Sequence, residues 1–236
     1  MFGHEKEDLL LSYPVKTFAL SLKGVDLKAY LANVSALENA LREDEAGTSE
    51  SFLECLSGYR QEKVRKLKME KDRKLGILAG ILTDRMLQEN AGFRERDAQY
   101  FLTGNGKPAI KDAPAAFNLS HSGDYVLLVS ALKNGREISV GCDLQKVLPG
   151  KEKAAAFCLD EREKDLYQSL DTPEERTDYF YTVWSMKESV LKADGQGIPG
   201  MRKLDLNERS DKTATICLPE EMCPKGYKAA VSIMIE

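Results

Sequence analysis

The chain has 236 residues, 42% of them hydrophobic, and a formal net charge of −4. That length and apolar content are enough to bury a core, which excludes a disordered chain and suits one large domain or two closely joined subdomains. The acidic balance argues against wholesale nucleic-acid binding, and no apolar run approaches the roughly 20 residues that cross a bilayer, Gly76 to Leu82 being among the longest.

In chain order, Met1 to Asp8 is charged and lacks the pattern of a signal peptide. Lys16 to Leu22 alternates apolar and polar residues as a half-buried strand does. Leu27 to Leu41 and Phe52 to Leu56 have helical spacing, with a polar loop expected over Arg42 to Glu50. Val64 to Glu89 lacks proline and is rich in helix formers, so it is expected to be largely helical. Arg60, Lys63, Arg65, Lys66, Lys68, Lys71, Arg73 and Lys74 concentrate positive charge in an otherwise acidic chain, a solvated face by default and an anion-binding edge if a partner exists. Thr103 to Pro108 is dense turn chemistry.

Tyr125 to Leu132 and Glu137 to Val147 flank Asn134-Gly135, and Asn-Gly between apolar runs is a strong hairpin signal. A two-residue turn there places Asp143 opposite Val126, close to Ser120, His121 and Ser122. Lys151 to Lys192 is charged and helix-favouring, interrupted at Leu170 to Pro173, and Phe180 to Ala193 is expected to form one helix ended by Gly195 to Pro199. Leu204 to Leu206, Thr213 to Leu218 and Ala229 to Ile235 are candidate strands. Strands and helices alternate without a regular βαβ pattern, which favours an α+β fold. The five cysteines form no Cys-x-x-Cys pair and are odd in number, as expected of free thiols in a reducing cytoplasm.

Trp184, Glu188 and Lys192 recur every four residues and share one helix face. A carboxylate and an ammonium at one helix end can hold a metal and neutralise a phosphate side by side. With Asp143, Glu188 makes a plausible Mg²⁺ site, because that ion takes one or two carboxylates and completes its shell with waters and substrate phosphates. No Gly-x-Ser-x-Gly elbow accompanies Ser120 and His121, and Pro108 follows Gly106-Lys107 where a Walker loop would need Ser or Thr.

Taken together, Gly106-Lys107-Pro108, Phe117-Asn-Leu-Ser-His-Ser122, Gly141-Cys-Asp143-Leu-Gln145 and the run from Phe180 to Gly197 resemble the motifs of the surfactin-synthetase (Sfp-type) 4′-phosphopantetheinyl transferases. The resemblance covers roughly Arg60 to Gly197. It implies two similar α/β subdomains related by a pseudo-two-fold axis, with the active site in the cleft between them. Residues 1–136 would form the coenzyme A 3′-phosphate and adenine side, and residues 137–236 the metal and catalytic side. It implies Mg²⁺ as cofactor, coenzyme A as co-substrate, an apo acyl or peptidyl carrier protein as partner, no nucleic acid, no membrane, and a monomer. By position, Asp143 and Glu188 resemble the metal ligands, Lys192 the pyrophosphate contact and Glu188 the general base or its positioner. Gly106, Lys107, Pro108, Ser120, His121 and Lys187 resemble coenzyme A contacts, His121 toward the 3′-phosphate. Arg60, Lys63 and Arg73 or Lys74 fall where the family binds phosphate. Gln145 departs from the pattern, which has an acid there, and is expected to reach the metal through water or not at all. A coenzyme A-binding homologue without transfer activity is the alternative, and a hydrolase built on Ser120 and His121 a distant third.

Overall fold

A computed structural model describes residues 10, 13–43, 49–104, 106–195, 201, 204–206 and 211–235. Four antiparallel strands form the first sheet, in the order β1-β2-β6-β5: β1 (Lys16–Leu22), β2 (Val25–Asn33), β5 (Ala115–Ser122) and β6 (Tyr125–Leu132). A second sheet, β7-β9-β8, uses β7 (Ile138–Lys146), β8 (Thr213–Cys217) and β9 (Tyr227–Ile235). A small hairpin joins β3 (Tyr100–Leu102) to β4 (Pro108–Ile110). The helices are α1 (Val34–Glu43), α2 (Ser49–Glu54), α3 (Gly58–Arg65), α4 (Glu70–Ala91), α5 (Glu152–Cys158), α6 (Glu161–Ser169) and α7 (Pro173–Asp194). This is the expected α+β class with two sheet-containing halves.

Period-two alternation decides the layering. On β6, Val126 and Leu128 face the core beneath α4, where Leu75, Leu78, Leu82 and Met86 pack with Tyr30 of β2. Leu127, Val129 and Ala131 face the other way and join Leu27, Ala29 and Leu31 of β2 against Val140, Cys142 and Leu144 of β7 and Val231 and Ile233 of β9. The two sheets therefore share an apolar interior. The opposite face of β7, carrying Ser139, Gly141, Asp143 and Gln145, is left for α7.

Several expectations change. Leu27 to Leu41 is not one helix: β2 runs to Asn33 and α1 begins at Val34, because Val25, Leu27, Ala29 and Leu31 alternate onto a buried sheet face. The helix expected over Val64 to Glu89 is interrupted between Arg65 and Glu70, so α3 can fold back on α4. A Cβ on Gly76 would lie 2.7 Å from Val64 Cγ2, which shows how closely those two helices approach. Leu204 to Leu206 is irregular, with Leu204 packed against Leu191 and Met201. Most of the loop expected over Arg42 to Glu50 lies outside the described residues, as do residues 196–200. Thr213 to Leu218 and Ala229 to Ile235 are strands as expected.

The hairpin is the instructive correction. Asn134 and Gly135 do take positive φ, 48° and 74°, yet β6 and β7 do not pair. Both edges of β6 are already occupied, by β2 and β5, so β7 crosses to the second sheet. Val126 lies opposite His121 and Ala32, while Asp143 lies opposite Ala230. Asp143 nevertheless reaches Ser120, by edge-to-edge approach of β5 and β7. Three side chains of β5 replace the missing backbone ladder. Cys142 N–H donates to Asn118 Oδ1 at 3.0 Å, Leu144 N–H to Ser120 Oγ at 3.1 Å, and Lys146 N–H to Ser122 Oγ at 2.9 Å. They satisfy the exposed edge of β7, which otherwise carries unpaired donors.

Candidate functional site

Helix α7 has strong local reasons to form. Thr172 caps it in a reciprocal capping box with Glu175, Pro173 occupies the first turn, and Gly195 (φ 81°) ends it in the left-handed conformation. Its face lies directly on β7, since a Cβ on Gly141 would meet Ser189 O at 2.0 Å and Ala193 N at 2.4 Å. Only glycine permits that approach. On β9, Ser232 Oγ shares a 2.6 Å hydrogen bond with Ser189 Oγ and ties the same helix down.

The result is a compact polar cluster. Asp143 is fully buried. Lys192 Nζ donates to its Oδ1 at 2.7 Å and lies 3.9 Å from Glu188 Oε1. Gln145 Nε2 donates to Asp143 Oδ2 at 3.0 Å and to Glu188 Oε2 at 3.4 Å. Ser120 Oγ donates to Asp143 Oδ1 at 3.1 Å and accepts from Lys192 Nζ, also at 3.1 Å, and from Leu144 N–H. A hydroxyl offers one donor and two acceptor sites, so Ser120 is saturated within the protein. Its proton is held by Asp143 and not by His121, so the serine–histidine pair that the hydrolase reading needs is not formed. Burial raises the Glu188 carboxyl pKa above its ordinary value and Asp143 adds to the rise, with Lys192 pulling the other way. Burial works against the Lys192 ammonium, but Asp143 and Glu188 outweigh it and hold the pKa above the ordinary value.

Beside this cluster lies a cavity of about 490 Å³ between α3, α4 and β5. Arg60, Lys63, Pro108 and His121 line it, with Tyr59 and Tyr100 stacked at 4.3 Å. Arg60 is 7% exposed, is braced by Tyr100 Oη at 3.2 Å, and holds its Nε, which makes no hydrogen bond, 3.7 Å from Oε1 of buried Glu95. Lys63 Nζ stands 5.5 Å over the Tyr59 ring. Burial lowers the His121 pKa and the Lys192 charge lowers it further, so the free imidazole is neutral at pH 7.

Other expected contacts sit elsewhere. Lys107 Nζ crosses to β7, donating to Val140 O at 2.5 Å and Ser139 Oγ at 3.2 Å, and burial lowers its pKa to about 8. Gly106 takes φ 75° in the β3–β4 turn. Arg73 Nε donates to Leu67 O at 2.7 Å, and Lys74 pairs with Glu38 at 2.8 Å and Glu70 at 3.1 Å, neither lining the cavity. Lys187 points away from the carboxylates into a buried ion pair with Glu163 at 2.6 Å, with Asp160 Oδ2 at 3.9 Å. Residue-type reasoning missed Asn118 and Ser122, whose spacing with Ser120 is the signal, and Tyr59 and Tyr100, which carry none.

The two carboxylates, Asp143 and Glu188, are oxygen donors of the kind that suits a hard divalent cation, while the Gln145 amide as placed turns its nitrogen to both of them. Among the described residues there is no group of three or more His, Cys, Asp or Glu side chains that could hold a metal ion. No helix among the described residues is long and apolar enough to cross a membrane.

Residues 139–232 match the model of the 4′-phosphopantetheinyl transferase superfamily, and residues 46–133 match the N-terminal model of 4′-phosphopantetheinyl transferases. The chain is 30% identical over 195 residues to 4′-phosphopantetheinyl transferase Sfp of Bacillus subtilis (strain 168), covering 78% of this chain and 84% of that protein. It is 29% identical over 210 residues to 4′-phosphopantetheinyl transferase ffp of Bacillus subtilis, covering 83% and 88% respectively. Over 216 residues it is 29% identical to 4′-phosphopantetheinyl transferase psf-1 of Bacillus pumilus, covering 89% and 82%. With its motifs on β5, β7 and α7 and similarity along most of its length, the chain belongs to the 4′-phosphopantetheinyl transferase superfamily, in its Sfp type.

Proposed function

We propose that the protein transfers 4′-phosphopantetheine from coenzyme A to a serine of an apo carrier protein, in a Mg²⁺-dependent reaction that releases 3′,5′-adenosine bisphosphate. The observation that carries this reading is the junction of two unlike sites. Buried Asp143 with half-buried Glu188 and Lys192 forms a cluster that adjoins a cavity lined by Arg60, Lys63 and His121 beside stacked aromatic rings. Coenzyme A has matching parts: a pyrophosphate, a 3′-phosphate and a planar base.

In this reading residues 1–136 take the 3′-phosphate and adenine side, through Arg60, Lys63 and His121, and residues 137–236 take the metal and catalytic side. Asp143 and Glu188 would hold Mg²⁺, which supplies charge neutralisation across the two phosphates when bound. Lys192, oriented by Asp143 and Ser120, would neutralise a pyrophosphate oxygen. The carrier serine oxygen forms a bond to the β-phosphorus as the bond from that phosphorus to the bridging oxygen breaks. The electron pair leaves on the bisphosphate, and the serine proton passes to Glu188 or to a base that Glu188 positions. Catalysis here is mainly positioning and charge neutralisation, as in phosphoryl transfer generally. Arg73, Lys74 and Lys187 are left out of the coenzyme A contacts because none of them lines the cavity and Lys187 is held in a buried ion pair with Glu163. Five free cysteines fit a reducing compartment such as the cytoplasm.

Incubation with coenzyme A, Mg²⁺ and a panel of apo carriers tests the proposal by mass spectrometry. A carrier mass gain of one phosphopantetheine is expected, lost on chelation and in Asp143→Asn. Tight coenzyme A binding without a gain on any carrier would favour the inactive homologue.

A further inference from the structure

We propose that Gln145 is a reversible clip, whose amide N–H₂ holds Asp143 and Glu188 together without a divalent cation and whose carbonyl oxygen ligates that cation when it binds. The inference rests on the two-carboxylate metal reading above. It starts from a symmetry in the cluster: Lys192 Nζ stands on Asp143 Oδ1 and Glu188 Oε1, at 2.7 and 3.9 Å, while Gln145 Nε2 stands on Oδ2 and Oε2, at 3.0 and 3.4 Å. Each carboxylate thus presents one oxygen to the ammonium and one to the amide. The two acids come from different elements, β7 and α7, and one of them is fully buried. Like charges so placed repel unless donors bridge them.

An acid at position 145 could not serve this purpose. It would set three carboxylates against one lysine, and only a cation would make that arrangement tolerable. Glutamine differs because its amide carries two donors on one atom and an acceptor on the other. Rotation about Cγ–Cδ exchanges N–H₂ for Oε1 at nearly the same position. The alternation of β7 puts Gln145 on the same face as Asp143, so no backbone movement is needed. The clip departs from the expectation that Gln145 reaches the ion only through water or not at all.

Mn²⁺ binding followed by electron paramagnetic resonance, with and without coenzyme A, tests this in wild type, Gln145→Met and Gln145→Glu. Loss of the amide is expected to weaken Mn²⁺ binding by roughly 10-fold or more. Gln145→Glu should tighten it, while lowering the melting temperature in chelator and raising it in Mg²⁺. In wild type, the Gln145 side-chain amide proton–nitrogen signals should shift on Mg²⁺ addition as their carboxylate hydrogen bonds are released. Gln145→Met binding Mn²⁺ as tightly as wild type, or unmoved amide signals, would overturn the clip while leaving the metal site intact. Wild type that binds no Mn²⁺ would instead overturn the metal reading, and the clip with it.

Discussion

Lys187 and Glu163 offer a direct test of what the structure adds to motif reasoning. Lys187 is 0% exposed and Glu163 5%, and their 2.6 Å ion pair fastens α6 to α7, one residue from Glu188. Lys187→Met strands the Glu163 carboxylate, because Asp160 Oδ2 is itself an acid and the other neighbour, Asp160 N–H, already donates to it at 2.8 Å. Breaking one side of a buried pair costs about 3–5 kcal/mol, whereas replacing both charges is often close to neutral. Glu163→Gln keeps an acceptor for the Asp160 N–H, so the double variant Lys187→Met/Glu163→Gln should recover most of the loss. A coupling of about 2–4 kcal/mol is therefore expected in a double-mutant cycle. Urea unfolding measures it, with unchanged slopes needed to compare midpoints. Coenzyme A affinity, measured by calorimetry on the same four proteins, separates the two roles for Lys187. A strut predicts that the double variant binds coenzyme A within about 3-fold of wild type, a difference under 1 kcal/mol. A phosphate contact predicts that single and double variants are equally weakened, by about 10-fold or more. The second result, or a single-variant loss below about 1 kcal/mol, would refute the strut.

Two other perturbations probe the join between the halves. Burial sets the Lys107 pKa to about 8, below the ordinary lysine value, so the unfolded chain binds more protons above pH 8 and stability rises with pH from there to about 10.4. Lys107→Met should remove that slope in melting temperature against pH; if Lys107 also meets coenzyme A, kcat/KM should fall as pH passes 8 in wild type but not in Lys107→Arg. Gly141→Ala places a Cβ 2.0 Å from Ser189 O, so α7 must move off β7. Overpacking of this kind costs about 1–3 kcal/mol, read by urea midpoint, and transfer activity should fall further than stability because Lys192 is drawn away from Asp143.

The meeting of Asp143, Glu188 and Lys192 was legible in residue types and spacing, while the way the fold brings them together was not. Glu188 and Lys192 share a face because a helix repeats every 3.6 residues, and that period can be read without knowing what the face meets. Gly141 reads as a motif glycine, but its physical reason, a helix backbone within a Cβ's reach, belongs to tertiary packing. Asn134-Gly135 made its turn and still misled, because turn chemistry sets local φ and says nothing about which strand edges remain free. Leu27 to Leu41 misled for a related reason: alternating apolar residues on β2 lead straight into α1, and both periods fit where they overlap.

Lysines show where such reading stops. Lys63, Lys107, Lys187 and Lys192 are equivalent as letters in a basic or motif-bearing stretch. The fold sends one over a tyrosine ring at the cavity, one across to β7, one into a buried pair and one onto the carboxylates. A charge's role depends on what it is desolvated against, and that is fixed by neighbours distant in sequence. Asn118, Ser120 and Ser122 make the same point for polar groups. Their i, i+2, i+4 spacing marks one strand face, but only the unpaired edge of β7 turns that face into the seam that holds Asp143 beside Lys192. The part of the motif that looks most like a nucleophile beside a histidine is therefore, in its serine, the fastening of the site.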